Sequence, residues 1–229
     1  PSSAASDVYK RQILGYLITC PLNSLSLQII LLLFLSSGSI SSGGHVINDY
    51  VDKDIDAINK PYRPIPSGAI SPKSALLYSM ILFALGVLLS FLINIYTFTI
   101  AFISSVLLIV YSFVTKRLGI IGNITIATLA SLTFIYGGLA ACLSNRIVYP
   151  AYFAFILTLG REIVKGIEDY EGDKLHNIKT LAVTKGINYS CYISAILFII
   201  LIATSPLPFV FREFTIVYLI IAVCFVDII

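Results

Sequence analysis

Four long stretches of the chain contain no Asp, Glu, Lys or Arg: residues 13–48, 74–115, 118–145 and 186–211. A helix crossing the hydrocarbon core of a bilayer needs about 20 apolar residues, so the second stretch holds two. Asn94-Ile95-Tyr96 divides it. The pattern predicts an all-α, polytopic membrane helical bundle. A first helix is expected to end over 13–19, followed by a turn at Cys20-Pro21-Leu22-Asn23. Further helices are expected over 25–48, 74–94, 96–115, 120–143, 148–169 and 187–204, and an eighth begins near 214. Residues 36–44 are rich in Ser and Gly, which lets membrane helices approach closely. Two polar segments, 49–73 and 170–185, interrupt the apolar pattern.

Composition agrees with the pattern. Of 229 residues, 58% are apolar and 12% are charged. Soluble domains carry roughly twice that charged share, which excludes an ordinary globular protein. Cys20, Cys142, Cys191 and Cys224 lie in apolar sequence without CxxC spacing, and are expected as packed helix cysteines rather than zinc ligands or disulfides. His45 and His176 are isolated and are expected at helix ends or in loops. The formal net charge of +3 gives no reason to expect nucleic acid.

Residues 2–12, Ser-Ser-Ala-Ala-Ser-Asp-Val-Tyr-Lys-Arg-Gln, are what a transposon sequencing adapter encodes. Residues 1–12 are therefore set aside as non-native, and 13–229 read as part of a membrane domain. Without Asp7, Lys10 and Arg11 the net charge is +2.

Consecutive spans place their connections on alternate sides. One side collects Lys53, Lys60, Arg63, Lys73, Lys116, Arg117, Arg161, Lys165, Lys174, Lys179 and Lys185; the other has only Arg146 and Arg212. Positive charge favours the cytoplasmic face, so the first set is expected there.

The acids are bunched still more tightly. Asp49, Asp52, Asp54 and Asp56 form one cluster, and Glu162, Glu168, Asp169, Glu171 and Asp173 a second. Each follows a membrane helix on the expected cytoplasmic side. Asn48, Asp52 and Asp56 repeat every four residues, which stacks them on one face if the helix continues. Asp169 and Asp173 repeat the spacing. Stacked carboxylates repel unless a cation separates them. Magnesium prefers oxygen ligands and keeps substrate phosphate oxygens in its shell. Asn48, Asp52, Asp56, Asp169 and Asp173 are thus the candidate metal ligands, and two such ladders facing each other would hold Mg²⁺ ions that clamp a diphosphate. The interleaved Lys and Arg residues would complete the neutralisation.

These residues resemble the motifs of the UbiA-type intramembrane prenyltransferase superfamily. Its NDxxDxxxD motif is matched by Asn48, Asp49, Asp52 and Asp56, and RPxPSG by Arg63-Pro64-Ile65-Pro66-Ser67-Gly68. Its DxxxD motif falls on Asp169 and Asp173, and a tyrosine-to-KR loop on Tyr111 and Lys116-Arg117. The resemblance runs over 13–229 and implies nine membrane helices around a central cavity, of which this chain would hold the end of helix one, helices two to seven and part of eight. A chain so truncated is expected to be inactive by itself. The implied reaction is prenyl transfer, with Asp52, Asp56, Asp169 and Asp173 catalytic through Mg²⁺ and Arg63, Lys116 and Arg117 on the diphosphate. Tyr111 would stabilise developing allylic positive charge, although it is equally read as an interfacial belt tyrosine.

The run Arg161-Glu162-Ile163-Val164-Lys165, then Asp169, Gly172-Asp173 and Lys179-Thr180-Leu181-Ala182, resembles the superfamily branch that joins a geranylgeranyl chain to geranylgeranylglyceryl phosphate in archaeal ether-lipid synthesis. Gly166 departs from that branch, which carries Asp there. Arg161, Lys165 and Lys174 would serve the anionic acceptor. A rival within the superfamily is prenylation of an aromatic acceptor, as in quinone, chlorophyll or haem O synthesis. A divalent-cation transporter is a further class, but it would place charge near the bilayer midplane, where these spans have none. The expected partners are a prenyl diphosphate, a lipid or aromatic acceptor and membrane lipid, with no nucleic acid and no obligate protein partner.

Overall fold

The computed structural model of the protein describes residues 2–20, 25–141, 143–175 and 178–221. It is all-α. The helices are α1 (Ser2–Thr19), α2 (Leu27–Val51), α3 (Lys53–Asn59), α4 (Pro72–Phe91), α5 (Ile95–Phe113), α6 (Ile120–Ala141), α7 (Val148–Glu168), α8 (Tyr170–Leu175), α9 (Leu181–Lys185), α10 (Ile187–Thr204), α11 (Leu207–Val210) and α12 (Ile216–Ile221). Among the described residues, six helical segments are long and apolar enough to cross a membrane, in α2, α4, α5, α6, α7 and α10.

Helix ends follow local chemistry. The Ser26 side chain accepts from the Ile29 amide and starts α2. Ser71 does the same for α4, with Pro72 in the first turn, where its missing N–H is harmless. Asn94 and Thr97 exchange side-chain and backbone bonds in a reciprocal capping box at α5, placing the break between spans where Asn94 predicts it. Helix α1 extends back to Ser2, beyond the segment expected over 13–19, because Tyr9 packs on Phe34 with ring centroids 4.6 Å apart and Gln12 is buried. Cys142, Cys224, His176 and most of the turn after Cys20 lie outside the described residues. Cys20 is buried and Cys191 exposed. His45 is exposed within α2 rather than at its end.

The chain divides into two compact units, 1–116 with 132–144, and 117–131 with 145–229. In the first, α2 packs along α4 and α5 around Leu33, Ile40, Ile47, Phe83 and Ala101. The Ser/Gly stretch of α2 does what its composition predicts. A Cβ on Gly86 of α4 would stand 2.7 Å from the Ser36 carbonyl oxygen, so the two backbones are in near contact. Hydroxyls complete the seam: Ser79 donates to the Gly43 carbonyl at 2.9 Å. Ser36, Ser90 and Tyr136 close a three-membered ring at 2.6–2.8 Å, with both serines fully buried. Large apolar side chains such as Leu77, Leu88 and Leu92 are instead exposed, as lipid-facing positions are.

In the second unit α7 lies along α10. Gly160 admits the Phe198 ring, which would stand 2.7 Å from a Cβ there. Gly119 has φ +58° and presses against the Lys179 carbonyl. A side chain at 119 would be both strained and in collision, so this glycine seats the Arg117–Gly119 turn against the Lys179 backbone before α9.

Gly86→Val should force α2 and α4 apart and lower stability by about 1–3 kcal/mol, while Leu88→Val on the exposed face of the same helix should change it little. Unfolding in detergent micelles measures both.

Candidate active site

Helix α2 carries its apolar pattern to Val51 and is then interrupted by one residue, Asp52, with φ −86° and ψ 3°, before α3 continues the chain. The backbone bonds persist through the break: the Asp52 amide donates to the Asn48 carbonyl at 2.9 Å, and the Asp56 amide to the Asp52 carbonyl at 2.8 Å. The second cluster repeats this local geometry. Helix α7 ends at Glu168, Asp169 has φ −86° and ψ 7°, and α8 follows. There the Asp169 amide donates to Lys165 and the Asp173 amide to Asp169, both at 2.9 Å.

The expected ladder of Asn48, Asp52 and Asp56 is divided between two cations. Lys116, in the 3-10 turn after α5 (Thr115–Arg117), donates to the Asn48 side-chain oxygen at 3.0 Å and makes a very short ion pair with Asp52. The Asn48 amide nitrogen also donates to Asp52, at 3.1 Å. Asp56 turns instead towards Arg63. One guanidinium nitrogen, Nη1, bonds Asp49 Oδ1 at 2.8 Å and Asp56 Oδ2 at 2.5 Å. Helical geometry accounts for the division: residues eight apart diverge by about 80° around the axis, so Asp56 lies beside Asp49 rather than beside Asn48.

Sequence spacing did not single out Asp49, yet the signal was present: Asp49 and Asp56 are seven residues apart, two helical turns, and share a face. Arg63 reaches them because loop 60–71 folds on itself. Its amide donates to the Lys60 carbonyl at 3.0 Å, its own carbonyl accepts from Ser67 at 2.9 Å, and Ile70 donates to Pro64 at 3.0 Å.

Asp56 is 6% exposed. Partial burial of Arg63 works against its charge, but the hydrogen bond to Asp56 and the fields of Asp49 and Asp56 outweigh it, so the guanidinium pKa is raised above its ordinary value. Arg63 is a permanent cation here. Beside it opens a cleft of about 430 Å³ whose walls include Val46, Ile65, Pro66, Ile70, Ala75 and Tyr78. A charged end and apolar walls therefore meet in one place.

The other expected residues are more open. Tyr111 is half-buried near the end of α5. Arg117, Arg161, Lys165, Asp169 and Lys174 are exposed and Asp173 is half-buried; Lys174 lies 5.5 Å from the Tyr170 ring centroid. Among the described residues, no three His, Cys, Asp or Glu side chains gather tightly enough to hold a metal by themselves. The donor set at Asn48, Asp52 and Asp56 is nevertheless all oxygen, which suits a hard cation such as Mg²⁺. Such an ion binds through one or two carboxylates and takes the rest of its shell from water and phosphate.

Apolar spans, one of which ends in carboxylates paired with cations, define a polytopic membrane protein with a polar cluster at a helix end. The chain belongs to the UbiA prenyltransferase family, whose profile matches residues 13–229. It is 50% identical over 214 residues to the digeranylgeranylglyceryl phosphate synthase of Saccharolobus solfataricus, covering 92% of this chain and 75% of that one. The synthase of Sulfurisphaera tokodaii is 42% identical, with 94% and 78% covered. Among solved structures, one from work on digeranylgeranylglyceryl phosphate synthase in membranes superposes with a TM-score of 0.87 at 38% identity, covering 96% of this chain and 78% of that one. A UbiA homolog from Archaeoglobus fulgidus, bound to GPP and Mg²⁺, has a TM-score of 0.82 at 24% identity, with 95% and 78% covered, and supports the fold. Family membership makes the protein an enzyme and sets the transporter reading aside.

Arg63→Gln should lower stability by about 1–3 kcal/mol, because Asp56 is left buried without its charged partner. Adding Asp56→Asn should recover most of that loss, and equilibrium unfolding of the single and double variants reads the difference.

Proposed function

We propose that the protein transfers a geranylgeranyl group from its diphosphate to geranylgeranylglyceryl phosphate, with Mg²⁺, at the cytoplasmic face of the membrane. The observation that carries this reading is the meeting of Asp49, Asp56 and Arg63 with the apolar cleft, beside the Lys116–Asp52 ion pair. A prenyl diphosphate has the complementary form, a polyanionic head on an apolar tail. The acceptor assignment is supported by the 50% identity to an archaeal synthase of that name and by the cations Arg161, Lys165 and Lys174 in the second motif. The eleven-to-two bias of basic residues between the two sets of connections supports the cytoplasmic placement.

Asn48, Asp52 and Asp56 in the first motif, and Asp169 and Asp173 in the second, are the candidate metal ligands. A Mg²⁺ ion held by these carboxylates would supply positive charge to the departing diphosphate. Arg63, Lys116 and Arg117 supply N–H donors to the phosphate oxygens, and their charge stabilises the leaving group as it forms. The allylic C1–O bond breaks with its electron pair going to diphosphate. An acceptor hydroxyl oxygen forms the new C–O ether bond, and its proton leaves to a phosphate oxygen or water. Tyr111 presents an aromatic face to the developing cation. Apolar walls keep water from competing with the acceptor.

The test is prenyl transfer by the gene product in membrane vesicles, given geranylgeranyl diphosphate, Mg²⁺ and competing geranylgeranylglyceryl phosphate and hydroxybenzoate. Product mass should show the two-chain glycerophosphate ether. Asp52→Ala and Asp173→Ala should each reduce turnover at least a hundredfold, on the order expected when charge stabilisation at a leaving group is removed. A prenylated aromatic product would replace the acceptor, and full Mg²⁺-dependent turnover in both variants would refute the site.

A further inference from the structure

The metal and diphosphate reading leaves two acids of the first cluster without a task. Asp54 is exposed, its carboxylate 3.9 Å from Lys53. Asp49 differs: it shares Arg63 with Asp56 through the same nitrogen. Asn48 and Asp49, adjacent in the chain and about 100° apart around the helix, thus reach different cations, Lys116 and Arg63.

This sharing has a consequence for Arg63. Guanidinium carries five N–H donors. Nη1 spends both of its hydrogens on Asp49 and Asp56, and the three at Nε and Nη2 take no partner among the described residues. Those three form the fork that suits a phosphate. Were Asp56 the only anchor, any cation drawn to Asp56 would compete directly with the guanidinium and release a long, rotamer-rich side chain. The backbone bonds of loop 60–71 hold the main chain at Arg63 but not its side chain. A second anchor removes the competition. Asp49 is well placed for this, since its carboxylate is 40% exposed where that of Asp56 is 8% exposed, so it holds its charge at a lower desolvation cost.

We propose that Asp49 is the positioning residue for Arg63: it keeps the guanidinium aimed at the diphosphate while Asp56 serves a cation. The inference rests on the proposed role of Arg63 as a diphosphate ligand. It assigns unlike tasks to carboxylates of one motif, with Asp49 acting through an arginine and Asp52 and Asp56 acting on the ion.

A double-mutant cycle tests it, using Asp49→Asn, Arg63→Gln and both together, with Asp49→Glu as the conservative variant. Two quantities are measured in vesicles: equilibrium binding of the unreactive analogue geranylgeranyl thiodiphosphate at fixed Mg²⁺, and the Mg²⁺ concentration for half-maximal turnover. Asp49→Asn should weaken analogue binding and raise the donor KM roughly tenfold with kcat little changed, the signature of lost uniform binding. Its Mg²⁺ requirement should equal that of the unaltered protein, and Asp49→Glu should recover part of the affinity. In the Arg63→Gln background Asp49→Asn should cost nothing more, because the group through which it acts is gone. Additive losses in the double variant, or a raised Mg²⁺ requirement in Asp49→Asn, would overturn the assignment. Unchanged analogue binding in Arg63→Gln would instead remove the role of Arg63 itself, and the inference with it. Unfolding measurements on Asp49→Asn and Asp49→Glu separate a positioning effect from loss of fold.

Discussion

Everything at the polar end of the first unit depends on the pairing of α2 and α3 carboxylates with two cations brought from elsewhere in the chain. Asp49, Asp52, Asp54 and Asp56 crowd together at the end of an apolar helix. Two like charges about 4 Å apart oppose each other by about 4 kcal/mol at an effective dielectric near 20. Arg63 and Lys116 reverse the sign of that interaction. In doing so they tie loop 60–71 and the end of α5 to α2. The same charges that make the cluster costly therefore define where its neighbours sit.

Packing below the site follows a different rule. Lipid tails offer helices no hydrophobic reason to associate, so close backbone contact and hydrogen bonds have to hold them. Gly86 against Ser36, and the ring of Ser36, Ser90 and Tyr136, supply both. All three hydroxyls of that ring are satisfied within the seam, which suits a rigid wall beside a reactive site. The apolar cleft beside Arg63 then needs no separate explanation. It lies where α2 and α4 rise towards the Pro-rich loop, whose Ile65, Pro66 and Ile70 line it but cannot fill it.

Much of this was legible in the sequence. Charge-free runs mark the spans, and Asn94 marks the break between two of them. The spacing of Asn48 and Asp52 does place them on one face, where both meet Lys116. What the spacing did not disclose was the one-residue break at Asp52 and its counterpart at Asp169, since a short interruption leaves the i to i+4 bonds intact and no Pro or Gly announces it. The ladder read as one row of three because each four-residue step drifts by about 40° around a helix, and over two steps Asp56 comes to face Arg63 beside Asp49. The Ser36–Ser90–Tyr136 ring was hidden for another reason: its members lie 46 to 100 residues apart, and only tertiary packing brings them together. The roles of Asp169, Asp173, Arg161, Lys165 and Lys174 remain those the motif resemblance implies.

The central claim is that the carboxylate and cation cluster at the end of α2 receives a prenyl diphosphate together with a divalent ion. Equilibrium binding of geranylgeranyl thiodiphosphate to the protein in vesicles, titrated with and without Mg²⁺, addresses it most directly. The expected result is saturable binding that needs Mg²⁺, is abolished by EDTA and is lost in Asp52→Ala. Binding of equal strength without the ion, or unaffected by Asp52→Ala, would contradict it.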